Sequence, residues 1–191
     1  LIDFPDVPGT RTRRQVDNFC NKPGYRKFGN NGSVRDYFLA VSDGRLDYTN
    51  VVSAYCTAKR PRSYYTDQRV PFGSRARALI KEGLGQLKAR GMDFSALSVD
   101  PDGYVRALNV FYAGDRDNAW AEGLWPHSSA LTNPYSATAN RMFYDYQITD
   151  LGSELTLRTF CHENGHMICD FPDLYDYGAE SNGVGDFCLM S

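Results

Sequence analysis

The sequence lacks any run of about 18 apolar residues, the length that a membrane-spanning helix needs. It also lacks an excess of charge of one sign: 21 Lys and Arg stand against 23 Asp and Glu, which gives a formal net charge of −2 at pH 7. Nucleic-acid-binding domains usually concentrate basic residues on one face, and these scattered charges indicate no such face. We therefore expect no transmembrane span and no nucleic-acid partner.

Histidine is scarce, with only three residues in the chain. Two of them, His162 and His166, belong to the pentapeptide His-Glu-Asn-Gly-His, which has the form H-E-x-x-H. On a helix, residues four apart lie on one face, one turn above the other. The pattern therefore predicts that both imidazoles bind one Zn²⁺, with Glu163 beside them as general base for a metal-bound water. The alternative for a bare motif is an ordinary surface or core pair of histidines.

The neighbouring residues favour a helix under this motif. Leu155, Thr159 and His162 recur at helical spacing, and Ser153 can cap the N-terminus of a helix that starts near residue 151. Phe171-Pro172 then predicts its end, because the residue before a proline disfavours helical backbone. The motif is thus expected near the C-terminal end of a helix.

A catalytic zinc site normally has three protein ligands and one open position. The downstream acidic residues that can supply the third ligand are Asp170, Asp173, Asp176 and Glu180. Asp173 is favoured because it follows a proline-containing turn, whereas Asp170 lies too close to His166. His127 remains an alternative ligand from upstream.

Two stretches resemble the immune-inhibitor-A family of secreted bacterial zinc metallopeptidases, a metzincin-like group. The first is H-E-N-G-H-M-I-C-D-F-P-D-L-Y-D at 162–176, followed by G-V-G-D-F-C-L-M at 183–190. The second is S-V-R-D-Y-F-L-A-V-S-D-G-R-L-D-Y at 33–48. The resemblance implies metal ligands at His162, His166 and Asp173, a general base at Glu163 and a Met-turn residue at Met190.

The match to the metzincin pattern H-E-x-x-H-x-x-G-x-x-H departs at two points. Cys169 stands where the pattern has glycine, and the spacer to Asp173 is one residue longer. Glycine at that point normally permits the backbone to turn. Asp170 also tolerates a left-handed conformation, so it is expected to make the turn instead.

The resemblance implies one α/β (α+β) domain over residues 1–191, a metzincin-like zincin with a twisted mixed sheet and an active-site helix. It implies a secreted zinc endopeptidase that acts on proteins or peptides, and we expect a monomer. Family members continue beyond the Met-turn, so the chain is expected to be a fragment without its C-terminal part. The alternative function is a non-catalytic secreted binding or adhesion domain with a structural zinc.

Other residues have two interpretations each. Tyr175 and Tyr177 either stabilise an oxyanion near zinc or pack. His127, in Trp-Pro-His, either lines the cleft or is structural. Asp100 and Asp102 precede a glycine and either bind Ca²⁺ or form a plain Asp-Gly turn, which is favoured.

The chain has five cysteines, so at least one is unpaired within it. The favoured disulfide joins Cys169 to Cys188, from the helix end to the Met-turn. A second pairing joins Cys20 to Cys56, and the alternative is that all five are reduced.

The remaining pattern predicts helices at 11–20, 34–41 and 74–90 and strands at 46–52, 105–112 and 140–149. The resemblance implies that 140–149 is the edge strand that pairs with extended substrate.

Overall fold

The computed structural model describes residues 1–181 and 183–191, and within them the protein is a mixed α/β structure. Its strands are β1 (Ile2–Asp3), β2 (Cys56–Thr57), β3 (Asn109–Tyr112), β4 (His127–Thr138) and β5 (Arg141–Asp150). Its α-helices are α1 (Arg13–Asn21), α2 (Val34–Val41), α3 (Arg62–Tyr65), α4 (Ser74–Ala89) and α5 (Leu157–Cys169). Single 3₁₀ turns occur at Lys27–Gly29 and Gly185–Phe187. The predicted α+β class is confirmed.

The five strands form one mixed sheet in the order β2-β1-β3-β5-β4. β3 pairs in parallel with β5, and β4 pairs antiparallel with β5, with Ser128 opposite Gln147. The segment 140–149 is indeed a strand, but its prediction as the edge strand is wrong. β4 and β5 are joined by a short turn, so they form an antiparallel hairpin and β4 becomes the edge.

Helices cover both faces of the sheet. Successive side chains of a strand point to opposite faces, so alternate residues of β3 pack against different helices. In β3, Val110 and Tyr112 pack in one core cluster with residues of α4. Phe111, between them, packs in a second cluster with residues of α1, α2 and α5. The Phe111 ring stacks on Phe160 of α5 with centroids 4.8 Å apart, which fixes α5 against the sheet.

The helices predicted at 11–20 and 34–41 are confirmed as α1 and α2. Both begin with a capping box. Thr12 caps α1 and Ser33 caps α2, each accepting a hydrogen bond from a backbone N–H three residues later. The helix predicted at 74–90 is α4. Val41, the last residue of α2, is 61 % exposed.

Helix α5 begins later than its sequence predicts. Ser153 does not cap it, and Thr156 at the cap position makes no capping hydrogen bond through its side chain. Asn30, which lies in a loop distant in sequence, takes the place of a local capping residue. Its Oδ1 accepts from Leu157 N at 3.0 Å and its Nδ2 donates to Leu155 O at 2.7 Å. A helix N-terminus leaves several N–H groups without partners, and here a tertiary contact satisfies one of them.

The strand predicted at 46–52 is not formed, and the one predicted at 105–112 is shortened to β3. Side chains replace ladder bonds in the first segment: Asn50 N donates to Asn21 Oδ1, and Asn21 Nδ2 donates to Asn50 O, both at 2.8 Å. The apolar-polar alternation at 46–52 therefore reflects an extended segment on α1 and not a sheet strand.

All five cysteines are free, so neither predicted disulfide is formed. The Cys20 thiol packs in the second core cluster, whereas the Cys56 thiol faces the Gly83 carbonyl on α4. Burial raises the pKa of both thiols, which keeps them protonated. Cys169 and Cys188, at either side of the H-E-x-x-H region, are likewise unbonded.

Among the residues that the structure describes, no helix has the length and apolar character needed to cross a membrane.

We expect Asn30→Ala to destabilise the protein by about 1 kcal/mol or more, because it removes both hydrogen bonds at the start of α5. Asn30→Asp is the matched control, since it keeps the acceptor for Leu157 N and loses only the donor. Urea unfolding of the three proteins measures the difference. Equal stability of Asn30→Ala and the wild type would contradict this capping role.

Candidate metal centre

Three side chains converge at the C-terminal end of α5. His162 Nε2 lies 3.1 Å from His166 Nε2. Asp173 Oδ1 lies 3.2 Å from the first nitrogen and 3.3 Å from the second. Among the described residues, these three form the only group of His, Cys, Asp and Glu side chains close enough to share an ion.

The spacing of these donor atoms fits a tetrahedral zinc site. With zinc–ligand bonds of about 2.0–2.1 Å, the ligand atoms of a tetrahedron lie about 3.3–3.4 Å apart. The observed triangle of 3.1–3.3 Å is close to one face of such a tetrahedron. The three residues therefore fit the ligand set that the resemblance implied.

The hydrogen bonds behind the two imidazoles leave their Nε2 atoms as acceptors. His162 Nδ1 donates to the Leu189 carbonyl at 2.8 Å, and His166 Nδ1 donates to the Phe171 carbonyl at 2.6 Å. A neutral imidazole carries one N–H, so each Nε2 presents a lone pair to the cluster. Backbone carbonyls that orient ligand histidines in this way are typical of metal sites.

Asp173 Oδ1 is buried and has no hydrogen-bond partner. It faces the two nitrogen lone pairs, so three electron-rich atoms meet with no proton donor between them. Buried polar atoms are rarely left unpaired. A cation bound to all three would satisfy every one of them.

Asp170 turns the chain so that Asp173 reaches the histidines. It ends α5 in a left-handed conformation, with φ of 56°. Its N–H donates to the His166 carbonyl and the next N–H donates to Gly165, which closes the last helical turn. Asp170 therefore makes the turn expected of it after Cys169.

The other acidic candidates do not join the cluster. Asp170 is exposed at the helix end. Asp176 accepts hydrogen bonds from the backbone of Gly178 and Ser181, in a turn of its own. Neither Asp176 nor Glu180 is in the group that can share an ion, so the structure brings together only Asp173 with the two histidines.

The segment around Met190 lies directly beneath the motif. Met190 is buried, and its carbonyl accepts a hydrogen bond from Leu174 N at 2.7 Å. A Cβ built on Gly165 would lie 2.7 Å from Met190 Sδ, so the Met190 side chain would have to shift to admit any side chain there. Glycine at this position of the motif therefore permits the close approach of Met190.

Glu163 is 7 % exposed and lies between the metal cluster and the sheet edge. Burial raises its pKa, while His162, His166 and a hydrogen bond from the Ser128 backbone on β4 lower it. The net shift is upward, in the direction that makes a carboxylate a better proton acceptor near neutral pH.

His127 lies outside the metal group. Its Nδ1 bonds to the Trp125 carbonyl at 2.6 Å, and its Nε2 bonds to the Tyr146 hydroxyl at 3.0 Å. Its ring packs on Phe72 with centroids 4.6 Å apart. Both nitrogens are occupied, so the alternative of His127 as third ligand is wrong, and burial lowers its pKa.

Tyr175 and Tyr177 lie beside the candidate metal centre, where both contact Asp173. Their hydroxyls donate to Asp173 Oδ2 at 2.9 and 3.1 Å. The oxygen that carries these two bonds is the one turned away from the histidines. The sequence signal for this contact was that Asp173, Tyr175 and Tyr177 occupy every second position.

Asp100 and Asp102 form a turn. Asp100 Oδ1 accepts from the N–H groups of Asp102 and Tyr104, at 3.0 and 2.9 Å. Gly103, with φ of 87°, follows in the left-handed conformation that such a turn needs. The described residues hold no group of three ligands here, and Ca²⁺ binding stays a prediction.

Sequence reasoning missed the residues that hold α5 in place. Asn164 is fully buried; its Oδ1 accepts from the Tyr48 hydroxyl at 2.7 Å, and its Nδ2 donates to the Phe160 carbonyl. Asn109 Nδ2 on β3 donates to the same Tyr48 hydroxyl at 2.6 Å. An asparagine within the H-E-x-x-H helix was the available signal, because asparagine is a poor helix former.

A cavity of about 560 Å³ lies elsewhere. It is lined by residues of both core clusters, with Asn50, Asn109 and Ile168 among them, and by none of the metal-cluster side chains. The convergent donor atoms and not the cavity size therefore define the candidate site.

The structure thus defines a mixed α/β protein with a His₂Asp candidate metal centre on its last helix. No family model matches the chain, and no curated protein shows significant similarity to it. The resemblance to the immune-inhibitor-A family stays a prediction.

We expect Gly165→Ala to destabilise the protein by about 1 kcal/mol, the low end of the cost of overpacking, because the buried Met190 side chain must shift to admit the new methyl group. The matched control is Gly85→Ala in α4, whose Cβ would meet only the Tyr135 hydroxyl at 3.8 Å. That change should be neutral or stabilising, by up to about 1 kcal/mol, because alanine favours helix. Thermal unfolding of both variants measures the contrast.

A double variant, Gly165→Ala with Met190→Ala, removes the atom that causes the overlap. It should be less unstable than the sum of its two single changes. Strict additivity would contradict the proposed contact.

His127 should make stability fall in acid. Its pKa is lowered from 6.5 in the folded state, so the unfolded chain binds the proton first. The stability contributed by neutral His127 is complete above that value and is lost as the pH falls below it, by at most about 1.4 kcal/mol per pH unit. His127→Gln, compared with wild type in chelator, should show a shallower loss between pH 7 and 5. Parallel curves would contradict this.

Proposed function

We propose that the protein is a secreted zinc-dependent endopeptidase of the metzincin-like, immune-inhibitor-A type. The observation that carries the proposal is the convergence of two imidazole lone pairs and one unpartnered carboxylate oxygen beside a buried glutamate. The mixed sheet with α5 packed against it supports the same class.

His162, His166 and Asp173 would hold Zn²⁺ through Nε2, Nε2 and Oδ1. The bound ion would supply a Lewis acid and lower the pKa of water at its fourth position. His162 and His166 keep their Nε2 atoms available because their Nδ1–H groups are bound to backbone carbonyls.

Glu163 has the position and environment of a general base. Its carboxylate accepts a proton from the attacking water and later donates it to the nitrogen of the leaving amine. Its burial raises its pKa, so the carboxylate is a stronger base than an exposed one.

The edge strand supplies a place for an extended peptide. Ser128 of β4 contacts Glu163, and β4 is the outermost strand of the sheet on this side. An extended peptide can add to such an edge through backbone hydrogen bonds. The substrate role that the sequence assigned to residues 140–149 therefore passes to β4.

We expect Glu163→Gln to retain zinc and to lose cleavage of unfolded casein by about 100-fold or more, since general-base catalysis contributes about 10²–10⁴. Glu180→Gln, outside the metal group, is the control and should keep full activity. Elemental analysis and a casein assay with and without chelator measure both properties.

Each alternative result has a clear meaning. Zinc with no chelator-sensitive cleavage by the wild type would overturn the peptidase proposal in favour of the binding domain. Equal activity of Glu163→Gln and wild type would overturn the general-base assignment.

A further inference from the structure

We propose that Tyr175 and Tyr177 form a two-phenol clamp that restricts Asp173 to one-oxygen binding of the metal and so sets metal affinity and coordination number. This inference rests on the zinc centre proposed above. Both tyrosines act through Asp173, so they are positioning residues and not catalytic ones.

The two carboxylate oxygens of Asp173 have different partners. Oδ1 faces His162 and His166 and has no hydrogen-bond donor. Oδ2 receives both phenol hydroxyls, at 2.9 Å from Tyr175 and 3.1 Å from Tyr177. This division orients the carboxylate with one oxygen towards the metal position.

The tyrosine rings support each other in this arrangement. Their centroids lie 4.7 Å apart with a tilt of 53°, a favourable aromatic geometry. Tyr177 is nevertheless 75 % exposed and Tyr175 is 37 % exposed, so core burial is not what holds them. The hydrogen bonds to Asp173 and the ring contact are the described interactions that fix both side chains.

The consequence for the metal follows from carboxylate chemistry. A carboxylate binds an ion through one oxygen or through both. Two donors on Oδ2 occupy its lone pairs, so binding through both oxygens would require breaking these bonds. One-oxygen binding keeps three protein ligands and leaves an open position, the arrangement of a catalytic zinc site.

The clamp also gives a different role to the two tyrosine hydroxyls, which the sequence analysis considered as donors to an oxyanion. A phenol O–H donates one hydrogen bond, and each of these is already directed at Asp173. Stabilising an oxyanion would require the clamp to open. The two roles make different predictions for metal affinity.

We expect Tyr175→Phe and Tyr177→Phe each to weaken Zn²⁺ binding by about 10-fold, and the double variant by up to about 100-fold, as partners behind a ligand commonly do. Tyr144→Phe on β5 is the matched control and should leave affinity unchanged. Competition with a chromophoric chelator measures affinity, and thermal unfolding of the metal-free proteins tests that the fold is intact.

Cobalt substitution provides a readout that a merely structural role would not change. Visible absorption of Co²⁺ is intense at four-coordinate sites and weakens as coordination number rises. The double Tyr→Phe variant should show weaker bands than the wild type, because Asp173 is free to bind through both oxygens. Tyr144→Phe should show the wild-type spectrum.

Three outcomes would overturn the inference, and they are distinguishable. A wild-type chain that binds no Zn²⁺ overturns the metal centre and the clamp together. Tight wild-type binding with unchanged affinity and cobalt spectrum in the double variant overturns the clamp alone. Unchanged affinity with a loss of kcat overturns it in favour of the oxyanion role.

Discussion

The contact between Gly165 and Met190 is the constraint on which the candidate site depends. Because residue 165 has no side chain, the chain around Met190 can lie against α5. From that position the Leu189 carbonyl orients His162, and the Met190 carbonyl holds Leu174 beside Asp173. One close packing contact thus positions two of the three proposed ligands, which are far apart in the chain.

Side-chain amides hold the site helix where regular structure does not. Asn30 caps the start of α5 from a loop, and Asn164 anchors its middle to Tyr48. Tyr48 lies in an extended segment without a strand, and Asn109 connects that segment to β3. Buried amide networks of this kind are specific because each unpaired group would be costly. They fix the direction in which the histidines point.

Local patterns predicted the parts of the fold that local interactions determine. The helices predicted at 11–20 and 34–41 lie close to their observed positions, and the hydrogen bonds by which Thr12 and Ser33 cap them span only three residues. The start of α5 was wrong because its cap, Asn30, is 127 residues away. The strand at 46–52 was wrong for the same reason, since distant asparagines replace its ladder. The edge assignment failed because strand order depends on which strands meet in three dimensions.

The sequence by itself determined that two imidazoles and a glutamate share a helix, because helical spacing fixes which residues share a face. It also indicated a left-handed turn at Asp170, since aspartate tolerates that backbone. Tertiary structure decided which carboxylate meets the histidines, which strand forms the sheet edge, and that His127 contacts Trp125 and Tyr146 and not His162 or His166. It also brought the hydroxyls of Tyr175 and Tyr177 into hydrogen bonds with Asp173. These choices depend on the relative orientation of segments joined by loops, which residue spacing does not encode.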